Sequence, residues 1–383
     1  MIPTRRGPLR VAMVSARAVP LMGGIETHVH EVSTRLGAAG VDVTVLTTDR
    51  SGDLPVEEKL PGYRVRRFPA YPRSRELYLA PGLARHLLRA DNYDVVHLQG
   101  VRTLVAPAAL AAARRAGIPT VMTFHTGRHP SALRNSIRPL QWWLLAPLLR
   151  SAAALVAVSE YERQMFAAVL GETGAAIRLI RNGCDPLPVD ASAEIPEGSP
   201  LLVSVGRLER HKGHHRILEA LPAILAQAPD ARLAVIGSGP YEQPLRAMAS
   251  RLGVSDRVSI CAFGPERRGA MGKLVAEADV CCLLSEGESH PVAVLEALGA
   301  GTNALVADSA GLSELGRAGL ATTIAIEATA EQVAAAALAV AAAPPPQPAL
   351  PSWDDCAEQL HRLYREVATN DPSSSTVSME GFR

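Results

Sequence analysis

The stretch NGCDPLPVDASAEIPEGSP (182–200), followed at once by LLVSV (201–205) and GRLERHKG (206–213), decides the fold. Its first part carries prolines at 186, 188, 196 and 200 and no apolar period, so neither a helix nor a strand is expected to run through it. The five residues that follow are apolar or small throughout, as in a strand buried on both faces. A linker that ends in such a strand marks the start of a second folding unit.

Working outward, the first half alternates short β-rich runs with longer helical periods. Strands are expected at 11–14, 42–47, 64–68, 94–98, 120–124, 154–158 and 177–180, and helices at 26–38, 79–90, 103–116 and 160–169. Gly40 and Gly117 fall just past two of these helices, where a glycine stop belongs. The second half repeats the rhythm, with strands at 201–205, 232–236, 257–261, 279–284, 304–307 and 322–326. An Ala-rich helix, 330–343, ends at Pro344-Pro345-Pro346. The expected fold is α/β, two doubly wound Rossmann-like domains facing across a cleft, with ligand at the carboxyl ends of the strands. The divisions expected are a first domain 1–181, a linker 182–200, a second domain 201–352, a helix 353–369 returning to the first domain, and a disordered Ser-rich tail 370–383.

Composition narrows the class. The chain has 383 residues, long enough for two cores, with 20% charged and 48% apolar residues, a globular profile. A formal net charge of +1 gives no global attraction to nucleic acid. Charge is locally uneven: 63–90 holds arginines 64, 66, 67, 73, 75, 85 and 89 against Glu76 alone. A solvated loop and helix face is the preferred reading; a contact with a phosphorylated acceptor or an anionic membrane is the sharper one. Cysteines 184, 261, 281, 282 and 356 show no CxxC spacing, which fits reduced thiols in a cytoplasmic protein. The most membrane-like stretch, 139–159, is broken by Pro147 and Arg150 and is expected to be a buried helix followed by a strand. Shallow membrane contact through Trp142 and Trp143 is the lesser reading.

Two segments carry the chemistry. Arg207 and Lys212 flank a loop between Gly206 and Gly213 at a strand end, where two fixed cations suit a diphosphate. Some eighty residues on, ESHPVAVLE (288–296) places Glu288 in a loop, Pro291 at a helix start, and Glu296 inside that helix. One carboxylate can reach a sugar and the other a ribose, with the helix N-terminus aimed at the diphosphate between them. Gly23-Gly24 open the first helix and permit close backbone approach to a phosphate; no G-x-G-x-x-G is present, which disfavours a dehydrogenase. His125 ends a strand and can face the cleft, although a structural histidine fits equally well there. His211, His214 and His215 resemble a metal site only superficially, since Lys212 sits among them. No Asp-x-Asp pair occurs, so no metal is expected.

These residues resemble the family-4 retaining glycosyltransferases of the GT-B fold. The signatures are GGIETHV (23–29), DVVHLQG (94–100), TFHTG (123–127), VSEYER (158–163), IRNGCD (180–185), VGRLERHKG (205–213), IGSGP (236–240) and ESHPVAVLE (288–296). The resemblance implies a nucleotide-sugar donor, expected to be UDP-linked, and a hydroxyl acceptor. The acceptor could be a glycan, a lipid-linked sugar or a small metabolite. It further implies retention by front-face departure, without cofactor, metal or protein nucleophile. Donor contacts would come from Gly23, Gly24, Arg207, Lys212, Glu288, Ser289, His290, Pro291, Val292 and Glu296. Acceptor contacts would come from Glu26, His125 and Thr126, and the reaction centre from His125, Arg207, Lys212 and Glu288. Two places depart from the pattern: His290-Pro291 stands where an aromatic residue followed by Gly or Pro is usual, and Gly301-Thr302-Asn303 replaces G-T-P. A sugar-nucleotide epimerase and a non-catalytic sugar-nucleotide binder are the other classes that this fold admits.

Overall fold

A computed structural model describes residues 7–21, 23–73, 77–90, 92–101, 103–126 and 132–369. The expected tail, 370–383, lies outside the described residues. In the first half the order is β1 (Arg10–Ser15), α1 (Gly24–Ala38), β2 (Asp42–Asp49), β3 (Glu57–Leu60), β4 (Tyr63–Pro69), α2 (Pro81–Arg89), β5 (Val95–Gln99) and α3 (Val105–Arg115). It continues with β6 (Thr120–Thr123), α4 (Ala132–Leu149), β7 (Ala154–Ala157), α5 (Glu160–Leu170) and β8 (Arg178–Leu179). The second half runs β9 (Leu201–Val205), α6 (His214–Leu225), β10 (Arg232–Ile236), α7 (Glu242–Arg251), β11 (Val258–Cys261), α8 (Arg268–Ala276) and β12 (Val280–Leu283). It closes with α9 (Val292–Gly299), β13 (Asn303–Ala307), α10 (Leu312–Arg317), β14 (Thr322–Ile324), α11 (Ala330–Ala341) and α12 (Trp353–Thr369).

Two sheets result. The first has the order β3-β4-β2-β1-β5-β6-β7-β8 and is parallel except for β3, which pairs antiparallel with β4. The second, β11-β10-β9-β12-β13-β14, is parallel throughout. Alternate residues of each strand feed opposite cores, as the two-residue period demands. Ala12 and Val14 pack under α2, α3, α4 and α5, whereas Val11 and Met13 pack under α1 and α12. Cys281 and Cys282 likewise enter different cores of the second sheet.

Strand order reverses direction at β1, between β2 and β5, and at β9, between β10 and β12. Those are the crevices where ligands bind in open α/β sheets. The loops after β1, β5, β9 and β12 open onto those crevices.

Residues 181–200 form neither helix nor strand. Helix α12, although last in sequence, buries Trp353, Cys356, Leu360, Leu363, Tyr364 and Val367 in the core of the first half. Its Tyr364 hydroxyl meets His97 Nδ1 of β5 at 2.5 Å. Two expectations need correction. Strand β3 was not anticipated, because EEKL has no apolar face and reads as a loop. The helix over 139–149 is not buried: Trp142 points inward, but Leu140, Trp143 and Leu144 are exposed, because only one stripe of α4 meets the sheet layer. Among the described residues, no helix is long and apolar enough to cross a membrane.

Candidate functional site

At the switch point of the second sheet, the loops after β9 and β12 are laced together. His211 offers its carbonyl to Glu286 N at 2.9 Å and to Ser285 Oγ at 3.1 Å. Gly213 adopts φ +77, and an added Cβ would stand 2.0 Å from the Leu284 carbonyl oxygen. Only glycine permits that approach. Buried His214 fixes the other side, with Nδ1 at 2.8 Å from Ser204 Oγ and Nε2 at 3.2 Å from the Arg207 carbonyl. Burial pushes its pKa down to about 4, so the ring is neutral.

This lacing sets Lys212 Nζ to donate to Glu288 Oε1 at 2.5 Å, with both side chains largely shielded from solvent. Two residues 76 positions apart in the chain are thus one ion pair. Arg207 lies on the same loop and is more exposed; its Nη1 stands 2.9 Å from Glu209 Oε1. Behind Glu288, Gly311 N donates to the Glu288 carbonyl at 2.8 Å. A side chain at Gly311 would strike the Ser289 carbonyl oxygen at 1.7 Å.

The other carboxylate behaves differently. Glu296, inside α9, accepts from Arg268 Nη2 at 2.5 Å. Burial raises its pKa, and the adjacent guanidinium opposes the rise. Sequence reasoning did not identify Arg268, which lies outside every quoted signature; no local pattern announces a pairing across 28 residues.

The segment 288–292 also touches the first half. Ser289 Oγ lies 2.9 Å from Ser159 Oγ, and Val292 joins the core beneath α1 and α12. The His290 carbonyl accepts from Asn182 Nδ2 at 3.0 Å, while Asn182 Oδ1 meets His28 Nδ1 at 3.0 Å. His28 in turn stands edge-on to His125, ring centroids 4.7 Å apart. Burial holds the His28 pKa at about 4 and that of His290 at about 3, the nearby Arg181 adding to the latter. His290 Nδ1 is buried without a hydrogen-bond partner among the described residues.

His125 follows β6 in the left-handed region, φ 49, a rare conformation for a residue with a side chain. Two contacts hold it there. Its Nε2 is 2.7 Å from Gln99 Oε1, and the next amide, Thr126 N, donates to Glu162 of α5. Glu162 also accepts from Val158 N at 3.0 Å. The Glu162 and Asn182 contacts went unread, although both residues lie within quoted signatures (158–163 and 180–185). Gly24 has open space around its Cβ position, whereas the Cβ position of Gly23 is covered by the Glu26 carboxylate at 2.5 Å. Glu26 itself pairs with Arg17 Nε at 3.1 Å. Of the proposed site residues, the structure joins Lys212 to Glu288 and sets Ser289, His290 and Val292 against the first half. Arg207 is turned to Glu209, and Glu296 to Arg268.

Comparison with known proteins shows the family. Residues 22–186 match the model described as Glycosyltransferase Family 4, and residues 189–347 match Glycosyl transferases group 1. A D-inositol 3-phosphate glycosyltransferase of Nocardiopsis dassonvillei is 33% identical over 350 residues, covering 80% of either chain. A glycogen synthase of Mycobacterium tuberculosis is 30% identical, again over 80% of each. A GDP-mannose:cellobiosyl-diphosphopolyprenol alpha-mannosyltransferase of Xanthomonas oryzae pv. oryzae is 29% identical over 85% of this chain and 87% of its own. Among solved structures, sucrose-phosphate synthase from Thermosynechococcus elongatus superposes with a TM-score of 0.73 at 19% identity, covering 94% of this chain and 99% of that one, a likeness of fold. With two switch-point crevices, matching models over both halves and relatives of this identity, the chain belongs to the family-4 glycosyltransferases of the GT-B fold.

Proposed function

We propose that the chain moves a hexose or N-acetylhexosamine from a UDP-linked sugar onto a hydroxyl of a glycan, lipid-linked sugar or small metabolite, with retention of anomeric configuration. The observation that carries this reading is the Lys212–Glu288 pair, held between two laced loops beside residues that touch the other lobe. Relatives named for transfer to inositol phosphate and for glycogen synthesis support a hydroxyl acceptor. A relative named for GDP-mannose makes the base a point for experiment, and thermal shifts with UDP and GDP test it directly.

In this mechanism Arg207 and Lys212 take the donor diphosphate, which requires Arg207 to swing from Glu209 and Lys212 to share its ammonium with phosphate. Glu288 then turns to the sugar hydroxyls, and Glu296 to the ribose beside Arg268. The neutral His290 ring, with its unsatisfied nitrogen, offers a hydrogen bond to a sugar substituent. As the bond between the anomeric carbon and phosphate breaks, charge gathers on the departing diphosphate, where the two cations stabilise it. The acceptor oxygen bonds to the same face of that carbon, and its proton passes to the departing phosphate oxygen. His125 and Thr126 line the acceptor side with Glu26. Cation charge at the diphosphate comes from these side chains, without a bound metal.

Acceptor-dependent release of nucleoside diphosphate tests the proposal. Lys212→Ala and Glu288→Ala are each expected to cost at least about 3 kcal/mol of transition-state stabilisation, roughly a hundredfold in rate. Turnover near the parent value in either variant contradicts the assignment. A donor altered without acceptor identifies an epimerase instead, and tight donor binding without any turnover a binding protein.

A further inference from the structure

We propose that the outer face of α4, together with the basic ends of α2 and α3 beside it, docks on a bilayer surface that carries anionic lipids. This inference does not depend on which sugar or acceptor the site takes.

The first observation is the helix itself. A surface helix normally presents a polar outer stripe. Here Trp142, Ala146 and Leu149 fill the core below, yet Leu140, Trp143 and Leu144 on the outer side are 58%, 67% and 63% exposed. Pro139 and Pro147 are exposed with them. The spacing of 140, 143, 144 and 147 puts these side chains on one continuous strip. Between 139 and 149 the only polar residue is Gln141. Single exposed leucines are ordinary, but a contiguous apolar strip bearing a tryptophan marks an interaction surface.

Charge says what covers it. From Leu79 to Arg150 the chain carries arginines at 85, 89, 102, 114, 115, 128, 134, 138 and 150, and only two acids, Asp91 and Asp94. Asp94 is already taken by Arg10. Arg85, Arg89, Arg114 and Arg115 are exposed, and none is paired with a carboxylate among the described residues. They differ in this from Arg64, Arg66 and Arg67, which are matched to Asp42, Glu57 and Glu58. Topology gathers them. Helices α2, α3 and α4 each return antiparallel to a parallel strand on one face of the first sheet, so their C-terminal ends collect at one edge. Arg89, Arg114, Arg115 and Arg150 all sit at those ends. A helix dipole favours a cation at each end, but it does not explain a layer nearly without acids.

An apolar strip with tryptophan, bordered by unpaired arginines, fits the headgroup region of an anionic membrane. A second copy of the chain fits poorly, because a two-fold contact would set arginine layer against arginine layer.

Sedimentation with vesicles of phosphatidylcholine, alone or mixed with phosphatidylglycerol, tests this. Binding is expected only to the mixed vesicles and falls as salt rises. Trp143 emission shifts to the blue on binding and is quenched by lipids with brominated acyl chains. Trp143→Ser combined with Leu144→Ser removes binding. Arg114→Gln combined with Arg115→Gln weakens it about 25-fold, about fivefold for each cation. All four side chains are exposed, so melting temperatures stay at the parent value. Equal binding to both vesicle types overturns the proposal. So does absence of bromine quenching, or a dimer in solution that Leu144→Ser converts to monomer.

Discussion

Several of the buried polar side chains near the cleft are neutral by environment, and this sets how the protein responds to acid. His28 and His214 have pKa values held at about 4 by burial, below the ordinary 6.5. As pH falls, the unfolded chain takes up these protons first. The stability each ring contributes is therefore complete above about pH 6.5 and is lost toward about pH 4, at about 1.4 kcal/mol per pH unit per ring. Urea midpoints measured across this range should fall steeply, and a flat profile would contradict neutral burial. Glu162 is the second test at this scale. Glu162→Ala leaves the buried amides of Thr126 and Val158 without that acceptor, at about 1–3 kcal/mol each. Glu162→Gln, which keeps one acceptor oxygen, should lose less in the same urea melt. Lys212 and Glu288, which the fold pairs, are marked in the sequence because loops at strand ends have compositional signs. The sequence did not show that Glu296 belongs to Arg268 or that Asn182 bridges His28 to His290, since such partners are chosen by packing and leave no spacing.

At the level of elements, glycine positions divide into two kinds. Gly213 adopts a left-handed turn against the Leu284 carbonyl, and Gly213→Ala should destabilise the fold by at least about 2 kcal/mol and separate Lys212 from Glu288. Gly24 has open space at its Cβ position, so Gly24→Ala should melt as the parent does while weakening donor binding if phosphate comes close. Paired thermal melts and donor titrations distinguish the two. Strands buried on both faces, such as β1 beyond Arg10 and β9, were legible because every residue there is apolar or small. The edge strand β3 was not, because an edge exposed to water tolerates charges that resemble a loop. For α4, apolar composition gave the helix correctly but misjudged its burial, since composition cannot say which stripe meets the sheet.

For the whole molecule, specific side-chain contacts join the lobes. Glu314 of α10 accepts from the first amides of α5, at 3.1 Å from Glu160 N and also from Tyr161 N. A carboxylate there complements the positive end of the helix. Glu314→Ala should favour an open arrangement, read as a larger radius of gyration by small-angle scattering and a smaller contraction on adding donor. An unchanged radius with and without donor would show that this contact does not hold the lobes. The two-sheet architecture was legible from the alternation of runs and the proline-rich break, whereas the contacts between lobes depend on pairs more than a hundred residues apart.

Helix α12 has a further consequence for how the chain comes to its native state. During synthesis the first lobe emerges early, yet the residues that close one side of its core are the 17 of α12, made after the entire second lobe. Val29, Val32 and Leu36 on α1 meet the sheet early, but the flank beside them that Trp353, Leu360 and Tyr364 fill stays open until the second lobe has been made. The lobe that is translated first is thus completed last, and a message truncated before codon 353 yields a product with an open apolar flank, marked for proteolysis.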